Sequence, residues 1–189
     1  MKKTLKKAPT SSRNDDSLEG DIASRITPVA KIVKPYKMVV YGRSGTGKTT
    51  FAASFPTPAL LIDCNDRGTD SVADVKGLDV LPARTMKDID QVYWMLEANK
   101  KGYKTVIIDT VSMLQEFATK EVLVEDGKDE ETAGQWGSMT KRHWGEVSSK
   151  LKSMIHRFRD LEMHVIFIAQ DRTFSGDGEE GEEGQIAPE

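Results

Sequence analysis

Four short apolar runs punctuate the chain, and each stops at a glycine or a polar residue. They are Met38-Val39-Val40-Tyr41 before Gly42, Ala59-Leu60-Leu61-Ile62 before Asp63, Val106-Ile107-Ile108 before Asp109, and His164-Val165-Ile166-Phe167-Ile168-Ala169 before Gln170. Unbroken runs of β-branched and aromatic residues suit strands buried on both faces. Between them the apolar period changes to three and four. A helix-compatible run covers 50–54. A second helix begins at Thr85, with Asp88 three residues on as a capping partner and Gly102 just past its end; its apolar face is Ile89, Val92, Tyr93 and Leu96. A third pattern covers 111–124. A fourth covers 140–161, where Trp144, Val147, Leu151, Met154, Ile155, Phe158 and Leu161 form one stripe. Strands alternating with helices imply an α/β fold, a mainly parallel sheet flanked by helices.

The flanks read differently. Residues 1–35 are polar, with no sustained apolar period, and are expected to be a mostly disordered arm; a short apolar patch at 29–33 lies between Pro28 and Pro35. Residues 36–174 are expected to form the core. Residues 175–189, rich in Gly, Glu and Asp, are expected to be an acidic flexible tail. The net charge of −3 hides this asymmetry. Residues 1–37 carry nine basic and four acidic side chains, whereas 171–189 carry one basic and seven acidic. A uniformly basic DNA-coating protein is thereby excluded, although a basic arm is not.

With 189 residues, 38% of them hydrophobic, the chain has enough apolar side chains for one core. It lacks an apolar run of about eighteen residues, so no membrane span is expected. The basic start, Lys2 to Lys7, is not followed by an apolar stretch, so no secretory signal is expected. A single cysteine, Cys64, excludes an internal disulfide framework and suits a reducing cytoplasm. His143, His156 and His164 lack ligand spacing, so no zinc site is read.

The strongest chemical signal is Gly42-Arg43-Ser44-Gly45-Thr46-Gly47-Lys48-Thr49, which matches G-x-x-x-x-G-K-[ST] in full and is followed by Thr50. A strand-like run precedes it and a helix-like run follows. Glycines let the backbone fold around phosphate oxygens with its N–H groups inward, and the helix start adds a positive dipole end. Lys48 supplies a mobile positive charge for the β- and γ-phosphates, and Thr49 a hydroxyl for Mg²⁺. Asp109, ending an apolar strand sixty residues after Thr49, is the expected second holder of that Mg²⁺. Thr110, not glutamate, follows it. The acid that orients the attacking water is therefore sought at Asp63-Cys64-Asn65-Asp66, with Asp66 ahead of Asp63. Gln170, at the end of the last run, is the expected sensor of the γ-phosphate.

In this order the motifs resemble the RecA-like ATPase core, and more narrowly the phage-encoded AAA-type P-loop nucleotide-binding proteins related to RecA-like single-strand annealing ATPases. The likeness is carried by segments 41–50, 61–72, 106–114, 144–155 and 165–172, and the softer features are Arg67-Gly68-Thr69 and Trp144-Gly145. The resemblance implies a RecA-like P-loop NTPase fold, ATP binding and hydrolysis with Mg²⁺, self-assembly with ATP at subunit junctions, and a role in phage DNA recombination, annealing or replication in the host cytoplasm. Single-stranded DNA and phage single-strand-binding or replication proteins are the implied partners. Two departures are plain. RecA-like proteins usually carry glutamate two residues after the aspartate that ends the second strand, where this chain has Asn65; and an acidic run follows Gln170, which phosphates would repel. The chain also stops soon after its fourth recognisable strand, so a truncated C-terminus or a partner covering the sheet edge is expected. The alternative reading is a nucleotide-dependent switch that binds a protein partner without touching DNA.

A DNA surface would use the basic arm (Lys2, Lys3, Lys6, Lys7, Arg13) or the basic face of the fourth helix (Lys141, Arg142, Lys150, Lys152, Arg157, Arg159). Trp136 is a candidate for base stacking; Trp144 belongs to the helix stripe. Arg43, Arg67 and Arg172 are the candidates for reaching a neighbour's ATP.

Overall fold

The computed structural model describes residues 23–26, 34–64, 69–127, 139–173 and 186–188. The chain divides into two units, Met1–Lys34 and Pro35–Glu189. In the first, residues 23–26 make a helical turn closed by the Ile26 N–H donating to the Ala23 carbonyl.

The second unit is an alternating α/β chain. Its strands are β1 (Lys37–Gly42), β2 (Ala59–Asp63), β3 (Leu78–Pro82), β4 (Thr105–Asp109), β5 (His164–Thr173) and β6 (Ile186–Pro188). Its helices are α1 (Lys48–Ala53), α2 (Met86–Ala98), α3 (Val111–Glu125) and α4 (Lys141–Asp160), with a 3₁₀ turn at Asp70–Val72. The sheet order is β1-β5-β4-β2-β3, all parallel, and β6 pairs antiparallel with β5. The strand that ends the P-loop side of the sheet is thus separated from β4 by β5.

Every residue of β2 and β4 is buried, as their unbroken apolar runs require. Alternate residues serve opposite faces. Leu60, Ile62, Val106, Ile108, Val165 and Phe167 pack with Ile89, Val92 and Leu96 of α2, Leu114 of α3, and Met154 and Phe158 of α4. Leu61, Ile107, Ile166 and Ile168 pack with Ala52 and Ala53 of α1 and with Val72. Met86, Ala118, Val122 and Val147 seal the helices to one another.

Three local features differ from the sequence-based expectation. Strand β3 was not anticipated: it is an edge strand, partly exposed, whose short Leu-Asp-Val-Leu-Pro pattern carries a weak signal. Helix α2 stops at Ala98, capped by Asn99 in the left-handed region (φ 37°), three residues before Gly102. Strand β5 runs past Gln170 to Thr173, and Ile186–Pro188, inside the stretch expected to be tail, pairs with it. Among the described residues no helix is long and apolar enough to cross a membrane.

Candidate active site

Register brings the motif residues together. Gly42 pairs with Gln170, Ile168 with Asp109, and Asp63 with Asp109, so β1, β5, β4 and β2 deliver their chemistry to one edge of the sheet. Ligands of parallel sheets bind at this edge, beyond the carboxyl ends of the strands.

The loop leaving β1 turns back on itself. Gly45 (φ 78°) and Gly47 (φ 83°) take left-handed conformations, and a Cβ at either would meet nothing nearby. Glycine is required there for backbone freedom, not for room. Lys48 Nζ donates to the carbonyls of Gly42 (2.6 Å) and Arg43 (2.8 Å), and Thr46 Oγ1 donates to the Arg43 carbonyl (2.9 Å). Helix α1 begins at Gly47 with no side-chain cap, whereas α2 and α4 each begin with a full capping box. The start of α1 thus keeps its amides from being satisfied by a hydroxyl, as a phosphate cradle requires.

Thr49 Oγ1 donates to Asp109 Oδ2 at 2.7 Å, tying α1 to the end of β4. These groups line a cleft of about 700 Å³ bounded by Ser44, Gly45, Gly47, Lys48, Thr49, Thr50, Asp63, Ser71, Asp109, Thr110 and Gln170. Gly42, Arg43 and Thr46 do not line it; they supply carbonyls and a hydroxyl to hydrogen bonds within the loop itself. Arg43 is 70% exposed, and its Nε lies 3.9 Å from the buried Asp171 carboxylate.

Burial pushes the Asp109 carboxyl above its ordinary value; the Thr49 hydrogen bond and the Lys48 charge oppose this, and the neighbouring Asp63 adds to it. Burial also pushes the Cys64 thiol up to about 12, with Asp63 and Asp109 adding to the effect. Cys64 is therefore a protonated packing group beside the cleft.

Of the acids sought after β2, Asp63 lines the cleft and is 6% exposed. Asn65, Asp66 and Arg67 lie outside the described residues, as do Trp136 and the arm lysines. Ser71 and Thr110 join the lining without having been singled out: a serine in a polar turn and a threonine opening a helix carry no distinctive pattern. Arg84 was also missed. Its Nη1 donates to the carbonyls of Asp63 and Ala83, each at 2.9 Å, bracing the end of β2.

Four of the six basic residues of the α4 face, Arg142, Lys150, Arg157 and Arg159, make ion pairs within the chain. Lys150 reaches Glu121 (2.7 Å) and Glu125 (3.0 Å), Arg142 reaches Asp126 (2.5 Å) and Glu146 (3.5 Å), and Arg157 pairs with Asp90 and Arg159 with Asp160.

Mg²⁺ prefers hard oxygens and keeps several waters. The Thr49 hydroxyl and the Asp109 carboxylate, already in contact within the cleft, fit that preference. Among the described residues no cluster of three or more His, Cys, Asp or Glu is placed to hold a metal ion.

The sheet order and this cleft define a P-loop nucleotide-binding protein of RecA-like fold. The family described as AAA domain matches residues 34–189, and the chain belongs to it. The chain is also similar to the SPbeta prophage-derived uncharacterized protein YorG of Bacillus subtilis (strain 168), at 25% identity over 156 residues, covering 77% of this chain and 44% of that protein. The chain therefore spans less than half the length of this relative.

Proposed function

We propose that this chain binds ATP with Mg²⁺ and hydrolyses it, in the service of phage DNA recombination, single-strand annealing or replication in the host cytoplasm. The observation that carries the ATPase reading is the Thr49–Asp109 hydrogen bond inside a cleft shared with Lys48 and Gln170. The loop amides and Lys48 hold the triphosphate, and Lys48 moves its donors from the Gly42 and Arg43 carbonyls to phosphate oxygens. Thr49 and Asp109 hold Mg²⁺, which when bound neutralises phosphate charge. Gln170, at the register position of Gly42, hydrogen-bonds the γ-phosphate and couples its loss to the remainder of β5. The prophage-derived relative supports a phage setting. Self-assembly with ATP at subunit junctions, and partnership with single-stranded DNA or phage replication proteins, belong to the same proposal.

A second reading, a nucleotide-dependent switch that binds protein without DNA, is favoured by the internal pairing of the α4 basic face. One experiment addresses both. ATP turnover is measured for wild type and Lys48→Ala, with and without single-stranded DNA at low salt. Lys48→Ala is expected to abolish turnover. Stimulation by DNA supports the recombination role; slow turnover indifferent to DNA supports the switch. Wild-type protein with no affinity for ATP and Mg²⁺ by calorimetry would sink both.

A further inference from the structure

Gly42 pairs with Gln170 where β1 runs beside β5, and the next residue of each segment is charged: Arg43 opens the phosphate loop and Asp171 continues β5. Successive strand residues face opposite sides of a sheet. Gln170 lines the cleft and Asp171 does not. The Asp171 side chain is 7% exposed, and its Oδ1 has no hydrogen-bond partner among the described residues. Burying a carboxylate with one oxygen unsatisfied is costly. The cation beside it is Arg43, whose Nε stands 3.9 Å from Asp171 Oδ2, an ion pair too long for a hydrogen bond. The main chain of Arg43 matters to the loop, because its carbonyl accepts from Lys48 Nζ (2.8 Å) and from Thr46 Oγ1 (2.9 Å). When Lys48 turns to phosphate oxygens, this corner of the loop loses one of those bonds. A guanidinium carries its N–H donors in a planar fork that matches both oxygens of a carboxylate. The unsatisfied Oδ1 and the distant Oδ2 are two acceptors for that fork.

We propose that Asp171 is a positioning residue: its carboxylate fastens the phosphate loop to β5 through a two-pronged pair with Arg43, closed when the loop holds a triphosphate. The assignment rests on the ATP-binding reading. It gives β5 two tasks on opposite sides of the sheet, with Gln170 facing the cleft and Asp171 holding the loop that builds it. It also commits the Arg43 charge to its own chain, not to the ATP of a neighbour. Neither side chain touches the reacting atoms; both act through the placement of the loop amides.

The test compares Asp171→Asn, Arg43→Gln, Arg43→Lys and the double variant Arg43→Gln/Asp171→Asn with wild type. Three quantities are read: ATP affinity by titration calorimetry in Mg²⁺, turnover at saturating ATP, and melting temperature without nucleotide. Asp171→Asn and Arg43→Gln are each expected to weaken ATP binding about three- to tenfold, with turnover at saturating ATP falling less than affinity. The double variant is expected to bind ATP no more weakly than the worse single variant, because either change alone already breaks the pair. Arg43→Lys, which keeps the charge and loses the fork, is expected to fall between wild type and Arg43→Gln. Asp171→Asn is expected to melt no lower than wild type, whereas loss of a merely structural carboxylate would lower the melting temperature. Should Asp171→Asn fail to fold, the two variants of the exposed Arg43 decide. Wild-type ATP affinity in the single variants, or losses that add in the double variant, overturns the assignment while the ATP-binding reading stands. So does Arg43→Gln that binds ATP as wild type does and no longer turns it over, which would make Arg43 a group acting on phosphate. Absence of ATP binding by wild type overturns that reading, and this assignment with it.

Discussion

Asp109 is buried beside Asp63, and its folded-state pKa is raised, first by burial. A carboxyl in this position is harder to ionise in the folded chain than in the unfolded one. Its contribution to stability is fully present below the unfolded pKa and is lost as pH rises through the folded pKa. Asp109→Asn keeps an acceptor for Thr49 and removes the buried charge. The variant is expected to melt about 2–4 °C higher than wild type at pH 7 without nucleotide, a gap that closes on acidification through the carboxyl range. Its ATP affinity in Mg²⁺ is expected to fall at least about tenfold. Scanning calorimetry across pH, paired with titration calorimetry, checks both; a lower melting temperature would place the stabilising role of the charge above its burial cost. At this scale the sequence was most informative. Gly42 to Thr49 and Asp109 each sit where strand-end patterning puts them. Ser71 and Arg84 were invisible because their roles depend on which strand ends meet, and no local pattern records that.

Helix starts show how local chemistry and site chemistry diverge. At α2 the Thr85 side chain accepts from the Asp88 N–H, and Asp88 answers by accepting from the Thr85 N–H. At α4 the Thr140 hydroxyl accepts from the His143 N–H, and the His143 ring nitrogen Nδ1 accepts from the Thr140 N–H. His143 Nε2, 3.1 Å from Asp126, then binds the start of α4 to the end of α3. Thr140→Ala is expected to lower the unfolding free energy by about 1 kcal/mol, read as a shift of the urea midpoint at constant slope. The Thr85–Asp88 box was legible because the residue types are the usual ones. The Thr140–His143 box was not, since histidine rarely fills that place. Helix α1 departs from both, with Gly47 in place of a hydroxyl cap.

Across the whole molecule, two faces of one sheet are covered by different helices, and Phe158 lies at the meeting of α4, the sheet and Tyr93, whose ring centroid is 5.6 Å away. Phe158 is fully buried. Phe158→Ala is expected to cost about 3–5 kcal/mol, measured by denaturant unfolding. Loss of less than about 1 kcal/mol would mean that α4 does not pack on the sheet through Phe158. By itself the sequence determined the parallel α/β class, the long helices and the phosphate loop, because these follow from apolar period and from residues adjacent in the chain. Only the tertiary structure decided the insertion of β5 between β1 and β4, the pairing of Asp63 with Asp109, the edge strand β3 and the ion pairs of Arg142, Lys150 and Arg157 with other elements. These are contacts between separate elements, unlike the Arg142–Glu146 and Arg159–Asp160 pairs within α4, and strand order and burial, not local composition, set which side chains meet.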